Sequence, residues 1–290
     1  MQTVLRSPSG KQVIISPAHP VVVIGERINP SGGRRKELAA QMAAGDMTLV
    51  REEARRQLAA GAGVIDVNVQ SAQVRDEAAA LVQAVEAVAQ TVDAPICIDS
   101  NNGPALAAAL RVCPGRPLVN SVSGEEASLA RVLPLVAEHR AAVIAMAMDD
   151  SGIPNDPQRR LAIAEKIVRR AESLGIPPED ILVDSLTLSV GADAQAAAVT
   201  LETIRRIREE LGLNLTLGAS NVSFGLPLRP AINAGFLFMA IAAGVNCPIV
   251  DPMKMRETIL VANLLRGTDP HAGRFLAYYR ELQRAQPAGQ

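Results

Sequence analysis

The sequence predicts an α/β fold of the TIM (β/α)8 barrel type, with a short N-terminal hairpin and one extra C-terminal helix. Three observations lead there. First, short runs of Val, Ile and Leu recur from residue 21 to residue 252, each followed by a stretch of helical periodicity. Near-continuous apolar runs of this kind suit parallel strands covered by helices on the outside. Second, the alternation repeats eight times without an interrupting linker, which favours a closed barrel over an open sheet. Third, the runs end in polar residues, as in Val64-Ile-Asp66-Val-Asn68, Ile96-Cys-Ile-Asp99-Ser100, Leu118-Val-Asn120-Ser121 and Ile181-Leu-Val-Asp184-Ser185. Asp and Asn are poor strand interiors, so their place at strand ends marks a site built on one face of the barrel.

The elements follow in order. Residues 4–16 read as a hairpin turned by Ser7-Pro8-Ser9-Gly10, placed as a lid over the bottom of the fold. Strands are expected near 21–27, 64–69, 95–100, 117–122, 141–147, 181–186, 215–221 and 247–252. Helices fill the gaps. Asp46 to Ala60 stops at Gly61. Asp156 caps a helix with Pro157 at its first position, which ends before Gly175-Ile-Pro177-Pro178. Ala196 to Leu211 stops at Gly212. A last helix is expected over 271–285, with residues 286–290 frayed. Residues 1–290 therefore read as a single domain.

Composition narrows the function. The chain has 290 residues and a formal net charge of −1, so nothing argues for a nucleic-acid or anionic-membrane partner. Four Phe, two Tyr and no Trp rule out an aromatic stacking platform for single strands. No apolar run approaches the roughly 20 residues of a membrane helix. The start lacks the pattern of a secretory signal, and the three cysteines form neither a CxxC pair nor a disulfide framework, so a cytoplasmic protein is expected. Cys97, inside a strand, reads as a small buried hydrophobe. No Cys/His cluster has metal-ligand spacing.

The candidate chemistry lies at the strand ends. Asp99, Asn120, Asp184 and Asn221 come from four strands at the same end and are expected to converge on one cavity. Singly, each could cap a helix or satisfy a loop; four together call for a ligand with a hydrogen-bonding edge. The loop Glu26-Arg27-Ile28-Asn29-Pro30-Ser31-Gly32-Gly33-Arg34-Arg35 lacks the spacing of a phosphate loop. It reads as a mobile cover over the barrel mouth whose Arg residues steer an anionic substrate tail. None of the histidines, His19, His139 and His271, stands at a strand end.

The chain resembles the pterin-binding methyltransferase family, which includes methyltetrahydrofolate:corrinoid protein methyltransferases and the folate domain of cobalamin-dependent methionine synthase. The matching segments are Gly25-Glu-Arg-Ile-Asn-Pro30, Asp66-Val-Asn68, Ile98-Asp99-Ser100, Asn120-Ser121, Asp184 and Gly218-Ala-Ser-Asn-Val-Ser-Phe-Gly-Leu-Pro227 with Arg229-Pro230 and Ile232-Asn233. The resemblance implies that Asp184 holds the amino-pyrimidinone edge of the pterin, that Asp99 and Asn120 complete that frame, and that Asn221 lies near N5. It also implies that Asp66, Asn68, Gly218, Ser220, Arg229, Glu26 and Asn29 line or support the site. Asn221 and Asp99 are the catalytic candidates. The substrate would be tetrahydrofolate or 5-methyltetrahydrofolate. The corrinoid (cobalamin) would arrive on a separate partner protein, and the enzyme would be a homodimer serving one-carbon metabolism, with no metal of its own. Gln70, where Gly is common, and Ser185, where Pro often follows the pterin Asp, depart from the usual pattern.

The chemistry is coherent. A 2-amino-4-oxo-pyrimidine offers two adjacent N–H donors, and one carboxylate accepts both. A methyl group leaves N5 only when that nitrogen gains positive charge, so the protein's task is electrostatic support of the transition state. Asn221 is its expected protein end. Two alternatives stand beside this. Dihydropteroate synthases share the barrel and pterin frame, but that family closes on an Arg-x-His anion site, where this chain has Asp251-Pro-Met-Lys254. A non-catalytic pterin-binding subunit of a methyl-transfer complex would present the same frame.

Overall fold

A computed structural model describes residues 1–31 and 35–285. Gly32, Gly33 and Arg34 of the expected cover loop, and residues 286–290, lie outside the described residues. Two strands, β1 (Thr3–Arg6) and β2 (Gln12–Ile15), pair antiparallel as the expected hairpin. Eight parallel strands follow: β3 (Ile24–Ile28), β4 (Val64–Val67), β5 (Ile96–Asp99), β6 (Leu118–Ser123), β7 (Ala142–Met146), β8 (Ile181–Asp184), β9 (Asn214–Thr216) and β10 (Ile249–Val250). They run in the order β10-β3-β4-β5-β6-β7-β8-β9. The ring is joined between β9 and β10 by a parallel bridge, Gly218 to Ile249, and by Ile249 N–H donating to the Leu217 carbonyl at 2.9 Å.

The helices are α1 (Lys36–Ala43), α2 (Thr48–Ala59), α3 (Glu77–Thr91), α4 (Gly103–Val112), α5 (Glu126–His139), α6 (Pro157–Glu172), α7 (Ala196–Arg206), α8 (Arg229–Ala243), α9 (Pro252–Leu265) and α10 (Gly273–Ala285). Their starts are written in the sequence. Asp76, Asn102, Asp156 and Asp251 each accept a backbone N–H of the first turn, from Ala79, Ala105, Gln158 and Met253 respectively. Pro157 and Pro252 occupy first positions where no N–H is needed.

Strand alternation sorts the core into two clusters. Outward positions such as Ile65, Ile98, Val143 and Val183 join the helices in the larger one. Inward positions such as Ile24, Val64, Cys97, Leu118 and Leu182 form the smaller one, together with Leu5 and Ile15 of the hairpin. The hairpin thus plugs the amino-terminal mouth of the barrel, as expected. Asn214, fully enclosed, fixes the plug: its amide donates to Thr3 Oγ1 and to the Ile15 carbonyl, both at 2.9 Å, and its oxygen accepts from Asn246 at 2.7 Å. Asn214→Ala strands these groups without partners and is expected to cost about 2–4 kcal/mol in urea unfolding; a loss under about 0.5 kcal/mol would mean that the plug is held by its apolar contacts alone.

Several boundaries differ from expectation. The seventh strand, expected over 215–221, ends at Thr216; residues Ala219–Ser223 form a 3-10 turn. The neighbouring strand explains this: after Asp184 the chain turns away at Leu186, whose φ is +60°, so on the β8 side β9 has no partner beyond Thr216. The eighth strand is Ile249–Val250, because Asp251 and Pro252 already start α9. The first strand begins at Ile24, and the last helix at Gly273.

Candidate active site

On the inward positions, apolar residues fill the lower layer and polar residues the upper one. Five of the strands supply such a pair: Ile24 then Glu26, Val64 then Asp66, Cys97 then Asp99, Leu118 then Asn120, Leu182 then Asp184. The register sets Asp99 beside Asn120, and Asp184 beside Met146 and Thr216. Asn68 donates to Asp99 at 2.8 Å, and Asn120 donates to Asp66 at 3.3 Å. The two carboxamides therefore bridge three strands. Helix capping does not use Asp99, since Asn102 caps α4 instead.

Four carboxylic acids crowd this face, and burial decides their protonation. Burial pushes Asp99 up to about 6, with Asn68 pulling it back and the nearby Glu77 adding to the rise. Burial pushes Asp184 up to about 6 as well, against the Leu186 amide and Arg160. Asp66, fully enclosed, is raised well above the usual carboxylate range by burial, then by Asp99 and Glu26. Glu26 is raised by burial and by Asp99, against the opposing Arg35. Among Glu26, Asp66 and Asp99, like charges this close do not all ionise together at neutral pH.

Among the described residues, several polar atoms here have no protein partner. Asp66 Oδ2, Thr216 Oγ1 and Ser185 Oγ are buried and unpaired, and Asp184 meets the Leu186 N–H only with Oδ1, at 2.7 Å. Buried polar atoms are nearly always paired in folded proteins, so a cluster of unpaired ones at the strand ends marks a place for a polar ligand.

A cavity of about 1200 Å³ opens beside this layer, between the ends of β3 and β10 and the start of α8. Its wall takes Glu26, Asn29, Ser220 and Arg229 from the expected set, with Arg27, Arg35, Glu53, Asp251 and Lys254. Asp66, Asn68, Asp99, Asn120, Asp184, Gly218 and Asn221 lie outside that wall. The strand-end groups are tied to one another along the barrel axis, and Glu26 stands where the two regions meet, within electrostatic reach of Asp66, Asp99 and Asp251.

Ser220 and Asn221 are corrected in position: they ride on the 3-10 turn beyond β9, exposed at the mouth. Arg229 staples the same segment. Its Nε donates to Ser223 Oγ at 3.0 Å, its Nη2 donates to the Ser220 carbonyl at 3.1 Å, and the guanidinium lies 6.0 Å from the Phe224 ring centre. Two arginines of the cover loop, Arg27 and Arg35, are likewise engaged. Arg27 forks onto Glu53 at 2.6 and 3.0 Å and reaches Asp251 at 2.9 Å; Arg35 donates to the Asn29 carbonyl at 2.8 Å. Asn29 Nδ2 lies 3.4 Å from Glu26 Oε1.

Sequence reasoning passed over Thr216 and Arg160. Thr216 stood one inward step before Gly218, where strand alternation exposes it. Arg160 shares the apolar face of α6 with Ile163, Ala164 and Ile167, at helical spacing, and a charge on such a face was the available signal. Among the described residues no group of three or more His, Cys, Asp or Glu could hold a metal ion, and no helix is long and apolar enough to cross a membrane.

Comparison with known proteins agrees with this geometry. The chain is 29% identical to a methylcorrinoid:tetrahydrofolate methyltransferase from Eubacterium limosum, over 90% of this chain and 97% of that one. It is 33% identical to methionine synthase from Mycobacterium tuberculosis over 248 residues, 81% of this chain but only 21% of that much longer protein. Among solved structures, dihydropteroate synthases share the fold. One from Yersinia pestis, bound to a pterine-sulfa conjugate, gives a TM-score of 0.67 at 19% identity over 92% of this chain and 100% of that one. One from Thermus thermophilus gives 0.66 at 22% identity, over 90% of this chain and 99% of that one. The family model for pterin binding enzymes matches residues 25–251, from the strand that opens the barrel to the residue that caps α9, and the chain belongs to that family.

Proposed function

We propose that this chain is a methyltransferase that moves a methyl group between N5 of 5-methyltetrahydrofolate and the cobalt of a corrinoid carried on a partner protein. The observation that carries this is the acceptor-rich layer at the strand ends, with Asp66 Oδ2 and Thr216 Oγ1 buried and unpaired, and Asp184 accepting from Leu186 through Oδ1, beside the Asn68–Asp99 and Asn120–Asp66 bridges. That set suits the donor edge of a pterin: two adjacent N–H groups for Asp184, with the carboxamides and Asp99 framing the ring. Such a site rejects rings that lack those donors, because its own acceptors would stay unpaired. The names of the two relatives, one a methylcorrinoid:tetrahydrofolate methyltransferase and the other a methionine synthase, support the methyl chemistry.

The corrinoid supplies the reduced cobalt that accepts or returns the methyl group. The chain's own residues do the rest. Asp184 orients the pterin, and Asn221, on the exposed turn after β9, donates toward N5 as that nitrogen gains charge. Asp99, raised to about 6 and held by the Asn68 amide, carries a proton part of the time near neutrality; a proton for N5 would come from such an acid or from water, since a carboxamide only donates a hydrogen bond.

Anaerobic mixing of the protein with cob(I)alamin and 5-methyltetrahydrofolate, followed in the cobalamin spectrum, tests this. Methyl–cobalt formation is expected, with kcat/KM lowered about 100-fold or more in Asn221→Ala, the scale seen when one transition-state donor is lost. Tight folate binding without turnover on the free cobalamin or on a corrinoid protein would favour a binding subunit. Condensation of a pterin pyrophosphate with aminobenzoate would make it a dihydropteroate synthase instead.

A further inference from the structure

We infer that Arg160 is a positioning residue for Asp184, acting from the helix behind the barrel through the turn that follows β8. Arg160 is wholly enclosed, unusual for a guanidinium. Its Nη1 donates to the Ser185 and Leu186 carbonyls at 2.7 and 2.8 Å, and its Nε donates to the Pro154 carbonyl at 2.7 Å. Thr200, from α7, sets its hydroxyl 2.9 Å from the same Leu186 carbonyl and 3.4 Å from Nη1. The held peptide is the one that matters: Leu186, in the left-handed region at φ +60°, directs its N–H onto Asp184 Oδ1 at 2.7 Å. A leucine adopts that conformation at a cost, and the carbonyl clamp is what maintains it. One oxygen of Asp184 is thereby fixed, and the carboxylate's orientation with it.

The guanidinium also bears on the charge of Asp184. The strand neighbours of that carboxylate bring only Met146 and Thr216, and α7 brings Thr200, none of them charged near neutrality. Arg160 is the positive group that favours its ionised form. Nη2 is left buried with no partner, so the residue spends buried hydrogen-bonding capacity that a purely structural packer of α6 would not need.

The inference rests on the reading that Asp184 holds the folate, and two measurements keep them apart. The Asp184 carboxyl titration, followed by selective 13C labelling in the free protein, needs no ligand. Tetrahydrofolate binding, followed by calorimetry from pH 5 to 8, tests the consequence. In Arg160→Met the Asp184 titration is expected to move up by about one pH unit from about 6. Tetrahydrofolate affinity at pH 7.5 should fall about tenfold or more. Arg160→Lys keeps the charge, so the titration returns toward the native position while affinity recovers only in part, because the fork onto two carbonyls is lost. Thr200→Val weakens binding without moving the titration, and it carries the test together with Arg160→Lys where Arg160→Met does not fold. Folded variants with native titration and native affinity would overturn the inference. If the native protein bound no tetrahydrofolate, or Asp184→Asn bound it as well, the folate reading would fail while the titration still judged Arg160.

Discussion

Asp184→Asn is expected to weaken 5-methyltetrahydrofolate binding by about a hundredfold or more while leaving the fold intact. The Asn side chain can still accept the Leu186 N–H through its oxygen, so the turn after β8 keeps its anchor. What changes is the atom that faces the ligand: an amide NH2 replaces a carboxylate oxygen, and a donor then meets the pterin's own donors. Removing one partner of a buried, charge-assisted pair costs about 2–5 kcal/mol, the basis of that factor. Calorimetry against 5-methyltetrahydrofolate, with circular dichroism as the folding control, measures it. Near-native affinity in a folded variant would remove Asp184 from the proposed frame and leave the wall at Glu26 and Asn29 as the alternative ligand edge.

The ligand-free protein is expected to become more stable as pH falls from 8 to 5. Asp99 and Asp184 titrate near 3.8 when unperturbed and are pushed up to about 6 in the fold. Glu26 and Asp66 are raised in the same direction. The folded chain therefore holds protons that the unfolded chain has released, and stability is lost as pH rises from about 4 through about 6. The carboxylates moved the other way, Asp46, Asp93, Glu126 and Asp149, lie at the surface, and their contribution disappears only at more acid pH. The expected gain on acidification is about 3 kcal/mol, or about 5–10 °C in Tm. Asp99→Asn with Asp184→Asn should flatten the profile, and a profile that falls on acidification would overturn the assignment. Bound folate should reverse the trend near neutrality, because it favours the ionised Asp184. Burying these acids thus trades stability of the empty protein for a site that only a donor-rich ligand satisfies.

The barrel and much of its polar rim were legible in the sequence because both are periodic. Apolar alternation set which strand residues face the axis, and turn and cap residues such as Asp156-Pro157 and Gly212 set where helices start and stop. Asp66, Asn68, Asp99, Asn120 and Asp184 could be named because a polar residue on an inward strand position has nowhere else to point. The 219–229 segment was harder. Ser220 and Asn221 read as strand ends, yet pairing with β8 stops at Thr216, since that partner turns away at Leu186. Pairing is a property of two strands, and one strand's residues cannot report where the other leaves.

By itself the sequence determined the order of strands and helices, the hairpin and the chemical character of the layer at the strand ends, because these follow from local preference and from side-chain alternation. Tertiary structure alone decided which of those groups touch. It joined Asn68 to Asp99 and Asn120 to Asp66, set the cavity beside Glu26, brought Arg160 from α6 against the Ser185–Leu186 turn, and raised the carboxylic acids by burying them together. Hydrogen bonds and desolvation depend on distances between residues far apart in the chain, and closure of the barrel is what fixes those distances.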